Sequence, residues 1–300
     1  MGETGPQLTS PTCMPPRQST LITVDVGNSS LRIGQFDALA VPRAAAPDRV
    51  NEWHIERDSL DELHAWLPDV PATWAVSSVN RPAEQRLAQW HQAHRSSDVY
   101  HVLSHADVPL KIDLDRPDRV GMDRLAAAVA ANTIRRKDRA IIIVDAGSAI
   151  TVDIVSATGA FLGGAILPGV SMAAEALHYR TDQLPDVQRD NPVLRFRKQH
   201  APLGAELVKL SDDHDSPPPV VGQSTDAAIR SGLVWGTVGA LKFLIQQMGK
   251  GLVEVPDVVF AGGDATLLAA LVQAAPATYP DLVLSGIALI EHQRKRTTGS

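Results

Sequence analysis

Leu21-Ile-Thr-Val-Asp25-Val-Gly27-Asn28-Ser29-Ser30 and, far downstream, Ile141-Ile-Ile-Val-Asp145-Ala-Gly147-Ser148-Ala149 are two versions of one phrase. Each is a short β-branched run that ends in Asp-x-Gly and a small polar residue. The run reads as a buried strand, and Asp-x-Gly closes it with a tight turn, because glycine accepts positive φ and lets a ligand approach the backbone. A second strand follows each turn, Leu31-Arg32-Ile33-Gly34-Gln35-Phe36 in the first copy and Ile150-Thr151-Val152-Asp153-Ile154-Val155 in the second. Two such hairpins facing across a cleft present carboxylates, backbone N–H groups and small hydroxyls, which together can hold a nucleoside triphosphate and its metal. A single Asp-Gly hairpin would say little, since any hairpin can carry one. The repetition, with strands on both sides, predicts a phosphoryl-transfer enzyme made of two related halves.

Composition narrows the class. A chain of 300 residues can bury a sizeable core and make two ordinary domains. It is 44% hydrophobic with only 4% aromatic residues, which describes an aliphatic globular protein. A net charge of −6, with no basic stripe interleaved with aromatics, argues against nucleic-acid binding. The one cysteine, Cys13, excludes an intramolecular disulfide and disfavours a thiolate metal site. No apolar run near 18 residues and no signal-peptide pattern is evident, so the expectation is a cytoplasmic protein that avoids membranes. The ten histidines are scattered, and His91 and His94 read as solvated surface of a helix rather than as metal ligands.

Along the chain, residues 1–19 are rich in Pro, Thr, Ser and Gly and predict a disordered tail. A first α/β domain is expected over 20–119, with helical spacing at Leu60–Leu67 and Ala83–His94 around a strand at Ala72–Val79. A second α/β domain is expected over 120–292, opening on an alanine-rich helix from Arg124 to Arg136. Within it, residues 189–222 accumulate Pro, Asp and His and read as a partly mobile insertion. Residues 293–300 read as a frayed tail.

Between and after the hairpins stand Gly121-Met-Asp123-Arg124, Gly163-Gly164-Ala-Ile-Leu-Pro168-Gly169, Thr181-Asp-Gln-Leu184-Pro185, Ser224-Thr225-Asp-Ala-Ala-Ile-Arg-Ser-Gly232 and Phe260-Ala-Gly262-Gly263-Asp264-Ala265. In this order, over roughly residues 20 to 290, the series resembles the type III pantothenate kinases, a branch of the acetate and sugar kinase, Hsp70 and actin superfamily. The resemblance implies two ribonuclease-H-like α/β domains, each with a mixed sheet flanked by helices, and an active-site cleft between them. It also implies a homodimer that phosphorylates pantothenate with ATP, the first step toward coenzyme A.

Phosphoryl transfer asks a protein to align two oxygens and neutralise charge on the moving group. By resemblance, Asp25 holds magnesium, directly or through water, while Gly27, Asn28 and Ser29 contact phosphate. Gly147 and Ser148 do the same from the other half, and Asp145 helps bind a monovalent cation, K+ or NH4+. Asp123 is the candidate general base: it opens a helix, where the dipole favours an ionised carboxylate, and the matching family position accepts the proton of the pantothenate primary hydroxyl. Gly121 and Arg124 belong to the substrate site, and a planar guanidinium suits the pantothenate carboxylate. Read without the family, Asp123 would cap its helix and Arg124 would pair with a surface acid. Thr225 matches a threonine that contacts pantothenate from the partner subunit, or it caps the helix that follows. Gly262 and Gly263 match the place where bare backbone admits adenine and ribose.

The family commonly has Thr where this chain has Ser29 and Ser148, and the hydroxyl is kept. It commonly has Tyr in the segment before Gly-x-Asp-Arg, where this chain offers Leu114. Two alternatives share the scaffold: a nucleotide-binding regulatory or accessory protein without turnover, and a kinase for another small hydroxy acid. Intact Asp25, Asp123, Asp145 and Arg124 favour an enzyme, since a pure binder needs no base.

Overall fold

The structure is a computed structural model that describes residues 20–37, 49–56, 60–67, 69–187, 217–272 and 277–298. The first β-branched run forms β1 (Thr20–Val26), and the turn at Gly27 returns the chain antiparallel as β2 (Ser30–Asp37), followed by β3 (Arg49–Glu56). After a short helix α1 (Leu63–Trp66), β4 (Ala72–Ser78) enters parallel to β1. Helix α2 (Arg81–His94) then leads to β5 (Val99–Val102), giving the order β3-β2-β1-β4-β5. Asn80 starts α2 as its N-cap, accepting the Ala83 N–H at 3.1 Å, with Pro82 in the first turn, where its missing N–H costs nothing.

The second sheet repeats the plan. Strands β7 (Ile141–Ala146), β8 (Ala149–Val155) and β9 (Ala160–Pro168) form an antiparallel meander, and β10 (Asp257–Ala261) and β11 (Ala277–Thr278) add in parallel on the far side of β7. Its order, β11-β10-β7-β8-β9-β6, contains the same arrangement as the first sheet plus one added edge strand, β6 (Lys111–Ile112). The equivalence that the two hairpins announce thus extends to whole sheets.

Side-chain alternation sends the two faces of each sheet to different cores. In the first sheet, Ile22, Val24, Leu31, Ile33 and Trp74 pack outward on Leu63 of α1 and on Leu87 and Trp90 of α2. In the second, Ile142, Val144, Val152 and Phe260 pack outward on two further helices, α5 (Thr225–Gly249) and α6 (Ala265–Val272); α4 (Val170–Tyr179) adjoins α5. The inner faces share one core: Leu21, Phe36 and Ala75 from one sheet and Ile141, Ile143, Val155 and Phe161 from the other. Between them lie α3 (Met122–Ile134) and α7 (Leu282–Thr298). Burying a leucine or isoleucine fully is worth roughly 1.5–3 kcal/mol, so this shared core accounts for much of what holds the halves together.

Three expectations are corrected. The second sheet takes its edge strand β6 from residues 111–112, ahead of the expected boundary at 119/120. Helix α7 runs to Thr298, past residue 293, because its apolar residues are claimed by the shared core and Arg294 is held by the buried Glu291. The third concerns apolar runs: α5 carries an 18-residue window of mean hydropathy 1.3, long and apolar enough by composition to cross a membrane, with 28% of that window buried. Much of the supposed insertion, residues 188–216, lies outside the described residues, as does the N-terminal tail. Residues 217–222 are tied to α5, where Trp235 Nε1 donates to the Pro218 carbonyl at 2.9 Å and Ser231 Oγ to that of Val220 at 2.6 Å.

The α3–α7 crossing depends on Gly286, where a Cβ would stand 1.8 Å from the Ala126 carbonyl oxygen. Gly286→Ala should therefore cost about 1–3 kcal/mol in denaturant unfolding, the usual toll of overpacking, although alanine is the better helix former. A variant as stable as the parent would show that the crossing tolerates a wider spacing.

Candidate active site

In each hairpin turn the glycine N–H donates back across the turn, Gly27 to Ser30 O and Gly147 to Ala149 O, each at 3.1 Å, the second turn being one residue shorter. The two turns meet: Ser29 Oγ and Ser148 Oγ are 3.0 Å apart and hydrogen-bonded. Asn28 and Ser29 are exposed beside this contact. The turn before α4 closes on the second hairpin, with Gly169 N–H donating to Ser148 O at 3.1 Å.

Asp25 and Asp145 occupy equivalent places, one residue from the end of the central strand of each sheet, and both face the shared interior. Burial pushes Asp25 up to about 7, aided by the nearby Asp123 and Asp145 and opposed by Arg32. Burial likewise pushes Asp145 up to about 6, with Arg32 again opposing. Asp25 Oδ1 is buried and meets no donor among the described residues. An orphaned carboxylate oxygen near a second carboxylate whose charge burial disfavours fits a cation bound there. Among the described residues no three His, Cys, Asp or Glu side chains converge on one metal position, so an ion held here draws its other ligands from water or phosphate oxygens.

Asp123 stands in the first turn of α3, next to Gly121 at the N-cap. Its Oδ1 accepts the Arg124 backbone N–H at 2.8 Å, and burial raises its pKa against that bond and the Arg124 charge. Gly121 is bare for this carboxylate: a Cβ there would lie 2.4 Å from Asp123 Oδ1. Arg124 grips Asp153, not a surface acid. Its Nε donates to Oδ2 at 3.0 Å and to Oδ1 at 3.2 Å, Nη2 also donates to Oδ1, and the Phe161 ring lies under the guanidinium at 5.8 Å.

Three contributors escaped the sequence reading. Asp153 is a carboxylate on a strand, and its inward orientation follows only from the β7–β8 register, which pairs it with Ile143. Arg32 pairs across β1–β2 with Asp25, donates to the Pro280 carbonyl at 2.6 Å, and places its charge on both Asp25 and Asp145. Ser77, the β4 partner of Asp25, is fully buried, and its Oγ meets no hydrogen-bond partner among the described residues. Their alternation within strands was the available signal; the pairing was not.

Other candidates look different in place. Gly262, at φ +88°, has no room for a side chain because a Cβ would lie 2.5 Å from both Ala146 O and Asp145 Oδ1, so its bareness serves the approach of β10 to β7. Gly263 faces open space. The cap of α5 is Ser224, whose Oγ accepts the Ala227 N–H at 3.2 Å, which leaves Thr225 exposed in the first turn with no capping role. Leu114 lies against Gly163, 3.1 Å from where a Cβ would stand.

Because Asp25 and Asp145 sit above the ordinary carboxylate range, the folded chain binds more protons than the unfolded chain between about pH 4 and pH 7. Stability therefore falls as pH rises through that window. Asp25→Asn should raise the melting temperature of the ligand-free, metal-free chain at pH 8 by at least ~2–4 °C, the shift that about 1 kcal/mol gives at this size, with no gain at pH 4. An equal difference at both pH values would show that the Asp25 charge is not the cause.

A profile of the type III pantothenate kinase family matches residues 21–247. A type III pantothenate kinase of Rhodospirillum rubrum is 30% identical over 292 residues, covering 92% of this chain and 99% of the relative. One from Desulfatibacillum aliphaticivorans is 29% identical over 283 residues, covering 90% and 97%. Among solved structures, a Campylobacter jejuni protein described as a Baf family transcriptional activator superposes with a TM-score of 0.55 at 19% identity, over 92% of this chain and 99% of that one, a likeness of fold. With the profile spanning most of the chain and both hairpins, the chain belongs to the type III pantothenate kinase family.

Proposed function

We propose that this chain transfers the γ-phosphoryl group of ATP to the primary hydroxyl of pantothenate, giving 4′-phosphopantothenate and ADP in the cytoplasm. Membership of the family supports the reaction, and the observation that carries it to these residues is the mutual electrostatic influence of Asp25, Asp123 and Asp145 beside the paired hairpins. The hydroxyl oxygen attacks the γ-phosphorus, the bond from that phosphorus to the bridging oxygen breaks, ADP leaves, and the hydroxyl proton passes to Asp123. An aspartate is a far weaker base than an alkoxide, so Asp123 orients the hydroxyl and takes the proton late. The raised pKa of Asp123 brings it closer to that task. Gly27, Asn28 and Ser29 on one side and Gly147 and Ser148 on the other are assigned to the phosphates, Gly263 and its neighbour Gly262 to the nucleoside side, and Gly121 and Arg124 to pantothenate. Asp25 would hold magnesium, which supplies charge neutralisation on the phosphates, and Asp145 would hold a monovalent cation.

The homodimer finds support on α5. Thr225, Ala228, Gly232, Gly236, Gly239 and Phe243 recur at helical spacing and are all exposed, and nothing lies within 4 Å of a Cβ built on any of the three glycines. Glycine in mid-helix costs roughly 0.5–1 kcal/mol against alanine, a cost explained where a second helix must come close. Thr225 ends this stripe, and in such a dimer it would reach the partner's substrate.

The deciding experiment incubates purified protein with ATP and magnesium in potassium, ammonium or sodium buffers of equal ionic strength and measures product mass for pantothenate beside other hydroxy acids. Phosphopantothenate should form, fastest with potassium or ammonium; no turnover of any acceptor would favour the regulatory alternative, and equal rates in all three salts would remove the cation site. Asp123→Asn should lower kcat about 10²–10⁴-fold while nucleotide still binds.

Gly236→Leu should convert a dimer to monomer in sedimentation and raise the KM for pantothenate. Thr225→Ala should raise the same KM with an unchanged melting temperature, since Ser224 keeps the cap. Unchanged kinetics in both variants would remove the partner's contribution.

A further inference from the structure

The Arg124–Asp153 pair is built more heavily than a helix anchor requires. Asp153 is almost wholly buried, with its side chain 2% exposed, in the middle of β8, paired with Ile143 on one side and Gly164 on the other. Its carboxylate is held by the donations from Arg124 Nε and Nη2, and the hydroxyl of Thr151, two residues along the same strand face, favours its ionised form. The neighbouring strand makes room for it: a Cβ on Gly164 would stand 2.5 Å from Asp153 Oδ1 and 2.0 Å from the Val152 carbonyl oxygen. Above it the Arg124 side chain is 16% exposed, with its guanidinium backed by Phe161. Only Nε and Nη2 are engaged, so among the described residues the Nη1 edge makes no hydrogen bond.

We infer that Asp153 is a positioning residue, which occupies one edge of Arg124 so that the other edge is held ready for the carboxylate of the acceptor substrate. A free arginine side chain has many rotamers to lose, and a guanidinium already locked by a buried carboxylate gives up little of that freedom when substrate binds. The fork geometry allows this: five N–H donors in one plane let a guanidinium bind one carboxylate with Nε and Nη2 and still present Nη1 to another. The buried Asp153 charge also tempers the attraction, so a second carboxylate is admitted where the N–H geometry fits rather than wherever positive charge is available. Selectivity for a planar acid over its neutral analogue then depends on Asp153 as well as on Arg124. This inference rests on the assignment of Arg124 to the pantothenate carboxylate.

The test measures kcat and KM for pantothenate and for an analogue with a primary amide in place of the carboxylate, in the parent chain, Arg124→Met, Asp153→Asn and the double variant. The ratio of kcat/KM for acid over amide should fall by about 10- to 100-fold in Asp153→Asn, through KM, with the KM for ATP within about twofold of the parent, because misplacing a binding group by about 1 Å costs on that order. In the Arg124→Met background the Asp153 change should add little, as expected for a residue that acts through another. A ratio that falls in Arg124→Met but holds in Asp153→Asn overturns the inference and leaves the Arg124 assignment standing. A ratio that holds in Arg124→Met overturns both. If Asp153→Asn does not fold, Thr151→Val loosens the same carboxylate in a milder way and should lower the ratio in the same sense; an unchanged ratio there overturns the inference.

Discussion

Asp123 and Asp145 each lie within electrostatic reach of both Asp25 and Asp153 where the two sheets meet, and two guanidinium groups, Arg32 and Arg124, oppose these four carboxylates. These side chains are only partly open to solvent, so the repulsion is incompletely screened. Much of the architecture supports this arrangement. Each sheet delivers one aspartate near the end of its central strand, α3 delivers Asp123 and Arg124 from its first turn, and Arg32 is tethered to the Pro280 carbonyl just ahead of α7. The ligand-free fold therefore carries unneutralised negative charge at its centre, and a cation with bound phosphates would relieve it. Stability is given up locally so that binding is favourable, the trade that functional sites commonly make.

The parts that could be read along the chain were those in which local pattern and tertiary role coincide. The two Asp-x-Gly hairpins stood out because a turn's chemistry is local, and the equivalence of the two sheets followed from them. Helix α3 was legible from its alanine content and α2 from its apolar spacing. What escaped was pairing across strands. That Asp153 faces Arg124, or that Ser77 lies beside Asp25, is a consequence of register, and register is set by residues far away in sequence.

Neighbouring residues of similar chemistry were also hard to tell apart without geometry. The sequence offers Thr225 as a cap of α5, and only the hydrogen bond to Ala227 shows that its neighbour Ser224 takes that place. Gly262 and Gly263 read as one motif, yet one is bare for the protein's own backbone and the other faces open space. The α5 stripe shows the opposite case, in which sequence and structure together find mid-helix glycines that no contact within the chain explains.

The position of α7 has a consequence for the order of events during synthesis. The inner face of the first sheet, with Leu21, Phe36 and Ala75, is made early, but the helix that covers it comes from residues 282–298. A growing chain thus carries an uncovered apolar face until residues 282–298 have been made, and the contacts that complete the core join segments far apart in sequence. Such long-range closure is slow and leaves partly built chains prone to association. The same arrangement withholds Pro280 from Arg32 until that late segment is made, so the charge balance of the cleft is completed only after α7 has followed the rest of the fold.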